Sequence, residues 1–73
     1  MPDRSLVNVR QREAVRAFMR AGGTDRGQGS GHWVIKMPNG RRVSLPTGVL
    51  KQGLLRAQIR VAGLTEEEFL SLL

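Results

Sequence analysis

The sequence contains no cysteine and no tyrosine, and its aromatic residues are one tryptophan and two phenylalanines. Without cysteine the chain can form neither disulfides nor a thiolate metal site, so nothing indicates an oxidising compartment. A single histidine also leaves too few ligands for a transition-metal site within one chain. No apolar run approaches the roughly eighteen residues of a membrane span, and the N-terminus lacks the apolar core of a signal peptide. We therefore expect a cytoplasmic protein with no membrane association, no metal and no cofactor.

The chain carries an excess of positive charge. Its 73 residues include twelve Lys and Arg against six Asp and Glu, a net charge of +6. Three of the acids are consecutive (Glu66 to Glu68), so the part before Leu64 has an excess of +9. Ten of the twelve bases are arginine, whose planar guanidinium suits bidentate contacts to phosphate. The charge favours a polyanion-binding protein, and a surface made basic only for solubility is the alternative.

Apolar spacing and turn residues predict that the first third of the chain is a helix followed by a short strand. The helix is predicted from Ser5 to Ala21, with Asn8 and Gln11 as a capping box and Gly22-Gly23 at its end. If a strand lies around residues 24–26, its glycine-rich surroundings place it at a sheet edge.

The segment from His32 to Pro46 has the pattern of a β-hairpin. Two strand-like stretches, 32–37 and 41–45, flank the turn residues 38–40, and Pro46 ends the second strand. Alternation predicts that one set of side chains faces the helices: Trp33, Ile35, Met37, Val43 and Leu45. A second set would share the open face: His32, Val34, Lys36, Arg42 and Ser44. Trp33 has a ring on which a base could stack, but this alternation assigns it to the core.

Two more helices complete the prediction. The first runs from Val49 or Lys51 to Ala62 and ends at Gly63, and the second begins at a capping box of Thr65 and Glu68. The result is one domain over residues 1–73, with residues 1–7 a candidate for disorder. Its predicted fold class is α+β, with helices on one face of a small antiparallel sheet of two or three strands.

His32 is the residue with the most chemical interest. An imidazole can give or take a proton near neutral pH, and nearby arginines could hold a phosphate and stabilise its developing charge. RNA carries its own nucleophile, the 2′-hydroxyl, so cleaving it requires little from the protein. Only Asp25 could orient the imidazole, and nothing in the sequence requires it. The glycines around Ser30 suit either a phosphate cradle or a simple turn.

Three segments together carry a family resemblance. They are Ala21-Gly22 with Gly29-Ser30-Gly31-His32, the stretch from Pro38 to Pro46, and the stretch from Lys51 to Leu70. In order and spacing they resemble the HicA toxins of bacterial toxin–antitoxin systems. The matching family motifs are of the types Lys-Gly-Ser-His, Pro-Asp-Gly-Arg-x-Val-x-Val-Pro, and Lys-x-Gly-Thr-Leu-Arg with a later Ala-Gly-Leu-Ser/Thr-x-x-Glu-Phe. The likeness covers the chain from Arg12 to its C-terminus.

The resemblance implies a fold similar to double-stranded-RNA-binding domains and an endoribonuclease that cleaves mRNA and so blocks translation. His32 would be the catalytic general acid/base, with no metal or cofactor. A HicB-type antitoxin would cover the active face. The free protein would be a monomer, and its complex with the antitoxin would be a hetero-oligomer. The expected RNA-binding residues are Lys36, Arg41, Arg42, Ser30 and Arg26.

The sequence also departs from the family pattern. Gly23 replaces a hydrophobic or aromatic residue, Gly29 replaces a basic one, and Gly31 stands where serine is common. The loop between Pro46 and Gly53 is short and lacks a second histidine. We expect these changes to weaken the first strand and to lower RNA affinity or activity.

Two other functions fit the same residues. The chain could be a non-catalytic RNA-binding module that reads A-form shape, or an adaptor whose basic face binds an acidic protein. The helical row of Arg12, Arg16 and Arg20 fits RNA, an antitoxin or plain solvent equally well.

Overall fold

A computed structural model describes residues 5–73 of the chain. The elements in order are helix α1 (Gln11–Arg20), strands β1 (Thr24–Gly29), β2 (His32–Lys36) and β3 (Arg42–Pro46), and helices α2 (Gln52–Val61) and α3 (Glu66–Leu72). The strands form one antiparallel sheet in the order β1-β2-β3. α1 packs on β2 and β3, α2 on β3, and α3 on the other two helices. This confirms the predicted α+β class, with a three-stranded sheet.

The core lies between the sheet and the helices and follows the predicted strand alternation. The inward residues of the central hairpin are fully buried: Ile35, Met37, Val43 and Leu45. Phe18 and Phe69 bring α1 and α3 together, with ring centroids 5.0 Å apart and planes tilted by 48°. Trp33 packs against this core but is only partly buried, so its predicted core position is only partly correct.

The chain before α1 is not helical, and the prediction of a helix from Ser5 is wrong. Asn8 adopts a left-handed φ of 58°, which breaks a helix. The next residues pair with the loop before α2 instead, where Leu50 N–H donates to the Val9 carbonyl at 2.8 Å. Leu6 is buried in the core. Residues 1–4, the rest of the segment considered for disorder, lie outside the described residues.

The start of α1 uses different residues from those predicted. The Arg10 backbone N–H donates to Glu13 Oε1 at 3.0 Å, and the predicted capping box of Asn8 and Gln11 does not form. Gln11 is buried, and its side-chain Nε2 donates to the Leu45 carbonyl at 2.8 Å. A glutamine here therefore links α1 to β3 and satisfies a strand carbonyl inside the protein.

The end of α1 and the start of α3 are as predicted, whereas α2 begins at Gln52, one residue after the later of its two predicted starts. After α1, Gly22 has a φ of 98°, and Gly23 N–H donates to the Phe18 carbonyl at 3.0 Å. This is the Schellman pattern that favours glycine at the first position past a helix. α3 begins with the predicted capping box, in which Thr65 N–H donates to Glu68 Oε1 at 2.8 Å and Glu68 N–H donates to Thr65 Oγ1 at 3.1 Å.

Gly23 lies where the backbone passes very close to the core. A Cβ added to it would lie 2.5 Å from Ile35 Cγ2 and 2.8 Å from the Phe18 carbonyl oxygen. The larger residue that the family pattern has at this position therefore does not fit here. The glycine does not remove the first strand, because β1 begins at the next residue, lies at the sheet edge as predicted, and extends beyond the expected residues 24–26.

Candidate active site and nucleic-acid interface

His32 is the first residue of β2 and follows a two-residue turn. Ser30 and Gly31 form this turn with positive φ values of 50° and 82°, as a type I′ turn requires. The residues on either side of the turn, Gly29 and His32, pair across β1 and β2. The glycine-rich segment is thus a tight hairpin that fixes the position of His32 at one end of the sheet.

The sheet face that carries His32 is open to solvent. Because Ile35 faces the core, alternation places His32, Val34 and Lys36 on the other side. His32 and Lys36 are exposed, and Arg42, directly opposite Lys36 on β3, is exposed as well. His32 lies about 13 Å along β2 from Lys36. This spacing suits an extended polyanion better than one small anion.

Arg26 joins the open face through an irregularity in the edge strand. The pairing of Asp25 with Ile35 and of Gln28 with Trp33 leaves two residues of β1 opposite Val34, as in a β-bulge. Alternation from Asp25 puts Arg26 on the open face, between the positions level with His32 and Lys36. By register, Arg26 is therefore the cation of the open face nearest to His32.

Of the other two predicted RNA-binding residues, Arg41 lies away from His32 and Ser30 lies close to it. Arg41 lies at the far tip of the β2–β3 hairpin, where its N–H donates to Asn39 Oδ1 at 2.9 Å and its carbonyl accepts from Met37 N–H at 2.7 Å. It is thus in register with the inward-facing Met37, and the structure does not bring it to the face of His32. Ser30 lies close to His32 and lines an open depression of about 290 Å³ together with Thr47.

Asp25 does not orient His32. Its Oδ1 accepts hydrogen bonds from Trp33 Nε1 at 2.8 Å and from Gly27 N–H at 2.7 Å. Within residues 5–73 the imidazole has no hydrogen-bond partner, so the site is not a Ser-His-Asp triad. The hydrogen bond between Trp33 and Asp25 is not among the contacts predicted from the sequence. It depends on the bulge in β1, and Gly27 is the one residue in the sequence that could have indicated a bulge there.

The remaining charges divide between the two sides of the protein. Arg56 Nε lies 3.3 Å from Glu66 Oε2 on the helical side, and Arg20 Nη1 donates to the Leu72 carbonyl at 2.6 Å. Arg20 therefore ties α1 to the end of α3. In this bond it differs from Arg12 and Arg16, the other two members of the predicted arginine row. Among the described residues, none of the four cations Arg26, Lys36, Arg41 and Arg42 forms an ion pair.

The described residues hold no cluster of three or more His, Cys, Asp or Glu side chains that could bind a metal ion. No helix within residues 5–73 combines the length and apolar character needed to cross a membrane. In comparisons with known proteins, neither a family model nor a curated protein matches this chain.

Proposed function

We propose that this protein is a toxin of the HicA type: a metal-independent endoribonuclease that cleaves mRNA and so inhibits translation. The observation that supports it most is the position of the only histidine in the sequence. It is exposed on an open sheet face with Arg26, Lys36 and Arg42, none of which forms an ion pair with a described residue. Within residues 5–73 the helices pack on the other side of this sheet, so an RNA strand can lie across the open face.

The chemistry needs few groups from the protein. The 2′-hydroxyl of RNA attacks the adjacent phosphorus, the bond to the 5′-oxygen breaks, and one proton must leave the hydroxyl while another reaches the leaving oxygen. His32 can perform either transfer as general base or general acid. Arg26, the nearest cation of the open face by register, would stabilise the charge on the phosphate. Lys36 and Arg42 lie farther along the sheet and would hold the backbone of the RNA. The products are a 2′,3′-cyclic phosphate and a 5′-hydroxyl.

The order of elements supports a fold of the double-stranded-RNA-binding-domain type. One helix, three antiparallel strands and a helix follow each other in that arrangement, and α3 adds a short helix at the end. A HicB-type antitoxin is the proposed partner, and by covering the open face it would block access to His32. We propose a monomer when free and a hetero-oligomer with the antitoxin.

An RNA cleavage assay without metal tests the proposal. We expect the purified chain to cut a single-stranded mRNA fragment in excess EDTA and to leave 2′,3′-cyclic phosphate ends, detected by their resistance to polyadenylation until the phosphate is removed. Induction of the chain in a bacterial host is expected to arrest growth. Intact RNA under conditions in which the RNA is bound would contradict nuclease activity.

The alternative is a non-catalytic RNA-binding module of the same fold. The specific observation in its favour is that no carboxylate orients the imidazole of His32 among the described residues. This module would bind RNA with a steep salt dependence but release no fragments. Absence of RNA binding at low salt would instead favour an adaptor that binds an acidic protein.

Replacement of Gly29 by lysine is expected to raise the affinity of the protein for RNA. Its backbone φ is not in the left-handed region, and a Cβ added to it meets no atom within 4 Å. Gly29→Lys would restore the basic residue of the family pattern beside His32. We expect tighter RNA binding and a salt dependence steeper by about one phosphate contact, measured by fluorescence anisotropy at several salt concentrations. Gly29→Gln is the uncharged control, and equal affinity of the two variants would contradict an RNA path at this edge.

A further inference from the structure

A second depression lies on the helix-facing side of the sheet, at the same end as His32. It has a volume of about 340 Å³ and lies between the start of α1, the edge strand β1 and the loop at Gly48. Its lining includes Trp33 and Gln28 together with Arg10, Arg12 and Glu13. The volume is at the lower end of the range for small-ligand sites, and the open face described above does not include it.

Trp33 is held in one orientation at this depression. Its indole N–H donates to Asp25 Oδ1 at 2.8 Å, and the same oxygen accepts from Gly27 N–H at 2.7 Å. The only polar atom of the indole is thereby satisfied, so the surface that the side chain offers a ligand is apolar and aromatic. A fixed aromatic ring loses little conformational entropy when a flat ligand stacks on it.

The charge of the lining suits a phosphate next to that ring. Neither Arg10 nor Arg12 forms an ion pair with a described residue. Glu13 brings one negative charge, and its Oε1 accepts from the Arg10 backbone N–H at 3.0 Å. The lining therefore keeps one excess positive charge, and it lies on α1, away from the Asp25 carboxylate that holds the indole N–H. The Gln28 amide adds a donor and an acceptor that could pair with the edge of a base.

The edge strand β1 and its turn separate the depression from the sheet face that carries His32. Trp33 directly follows His32 in β2, and their side chains point to opposite sides of the sheet. Between the two sides run residues 27–31 of β1 and its turn, where every second residue is glycine. These glycines have no side chain, and a Cβ added at Gly27, Gly29 or Gly31 would meet nothing within 4 Å, so a strand can pass over the rim at these positions.

We propose that this depression binds one unpaired nucleobase of RNA, stacked on Trp33 with an adjacent phosphate on Arg12, while the strand crosses the glycine rim to His32. This inference rests on the proposed function and specifies its substrate: RNA that is single-stranded at the site of cleavage. A base inside a duplex is stacked and paired, so it cannot enter the depression without being extruded.

Tryptophan fluorescence tests the stacking directly, because Trp33 is the only tryptophan of the chain. The titration uses the His32→Ala protein, which is expected to leave the RNA intact, and three ligands: hexauridylate, an abasic hexamer of equal charge, and a blunt RNA duplex. We expect hexauridylate to quench the fluorescence and to bind at least 5-fold more tightly than the abasic hexamer, with little quenching by the duplex. Equal binding and quenching by all three ligands would overturn the proposal.

Two variants separate the contacts. Trp33→Leu is expected to weaken binding of labelled hexauridylate by about 5- to 100-fold, with circular dichroism to verify the fold. Arg12→Gln is expected to weaken it more than Arg16→Gln, a matched change of an exposed arginine on the same helix outside the depression. Equal effects of the two arginine variants would overturn the site. If the wild-type chain cleaves RNA but base-dependent quenching is absent, the stacking inference fails while the nuclease proposal stands.

Discussion

Replacement of His32 by alanine is expected to slow RNA cleavage by about 100- to 10,000-fold, the usual contribution of a general acid/base, and to abolish growth arrest. RNA affinity should hardly change, because the imidazole is one exposed group beside several cations. The fold should also survive, since His32 is exposed and makes no hydrogen bond to a described residue through its side chain. Single-turnover cleavage rates at saturating RNA measure the chemical step, and anisotropy measures binding.

A pair of charge variants provides the control for this experiment. Lys36→Gln removes a cation from the open face and is expected to weaken RNA binding and lower the salt dependence by about one phosphate contact. At saturating RNA its cleavage rate should stay near that of the wild type. Arg60→Gln removes a cation that is also exposed, on α2, and should change neither quantity. Full cleavage by His32→Ala protein would show that the catalytic group lies elsewhere.

Replacement of Gly23 by alanine is expected to lower the free energy of unfolding by about 1–3 kcal/mol, as overpacking of a core usually does. The added methyl would lie 2.5 Å from Ile35 Cγ2 and 2.8 Å from the Phe18 carbonyl oxygen. That oxygen also accepts the hydrogen bond from Gly23 N–H that ends α1. The methyl therefore pushes on a side chain of β2 and a backbone group of α1 together. For a domain of this size the melting temperature should fall by about 5–20 °C.

Gly29→Ala is the matched control, because it adds the same methyl at the other end of β1, where a Cβ meets no atom within 4 Å. We expect its unfolding free energy to stay within about 0.5 kcal/mol of the wild type. Chemical denaturation of the three proteins, with a common m-value, measures the difference. If the two alanine variants were equally stable, the close approach of Gly23 to the core would not constrain the fold.

The hairpin, the end of α1 and the start of α3 could be predicted from the sequence because their signals are local. Pro38-Asn39-Gly40 fixes a turn through its own backbone preferences, and Gly63 and Thr65 act within one helical turn of their positions. Strand alternation then assigns His32 and Lys36 to one face without knowledge of any other element. The sequence could therefore identify much of the candidate site before the fold was known.

The parts that could not be predicted depend on contacts distant in sequence. Asn8 resembles a helix cap, but pairing of Val9 with Leu50 draws this segment away from α1. The bond from Trp33 to Asp25 requires a bulge whose register no local pattern reveals. Gly23 looks like a weak point in a strand, and only the packing of Ile35 shows that glycine is needed there.

The capping box of α3 also affects how the protein meets other molecules. It gathers Glu66 to Glu68 at the start of α3, while Arg26, Lys36 and Arg42 lie on the open sheet face. The surface at this end of α3 is therefore acidic, in contrast to the basic sheet face and to the arginines of α1 and α2. A polyanion that approaches the protein would be repelled at this one corner and attracted elsewhere, so its encounters would be fewest there. The same corner would disfavour the approach of an acidic protein.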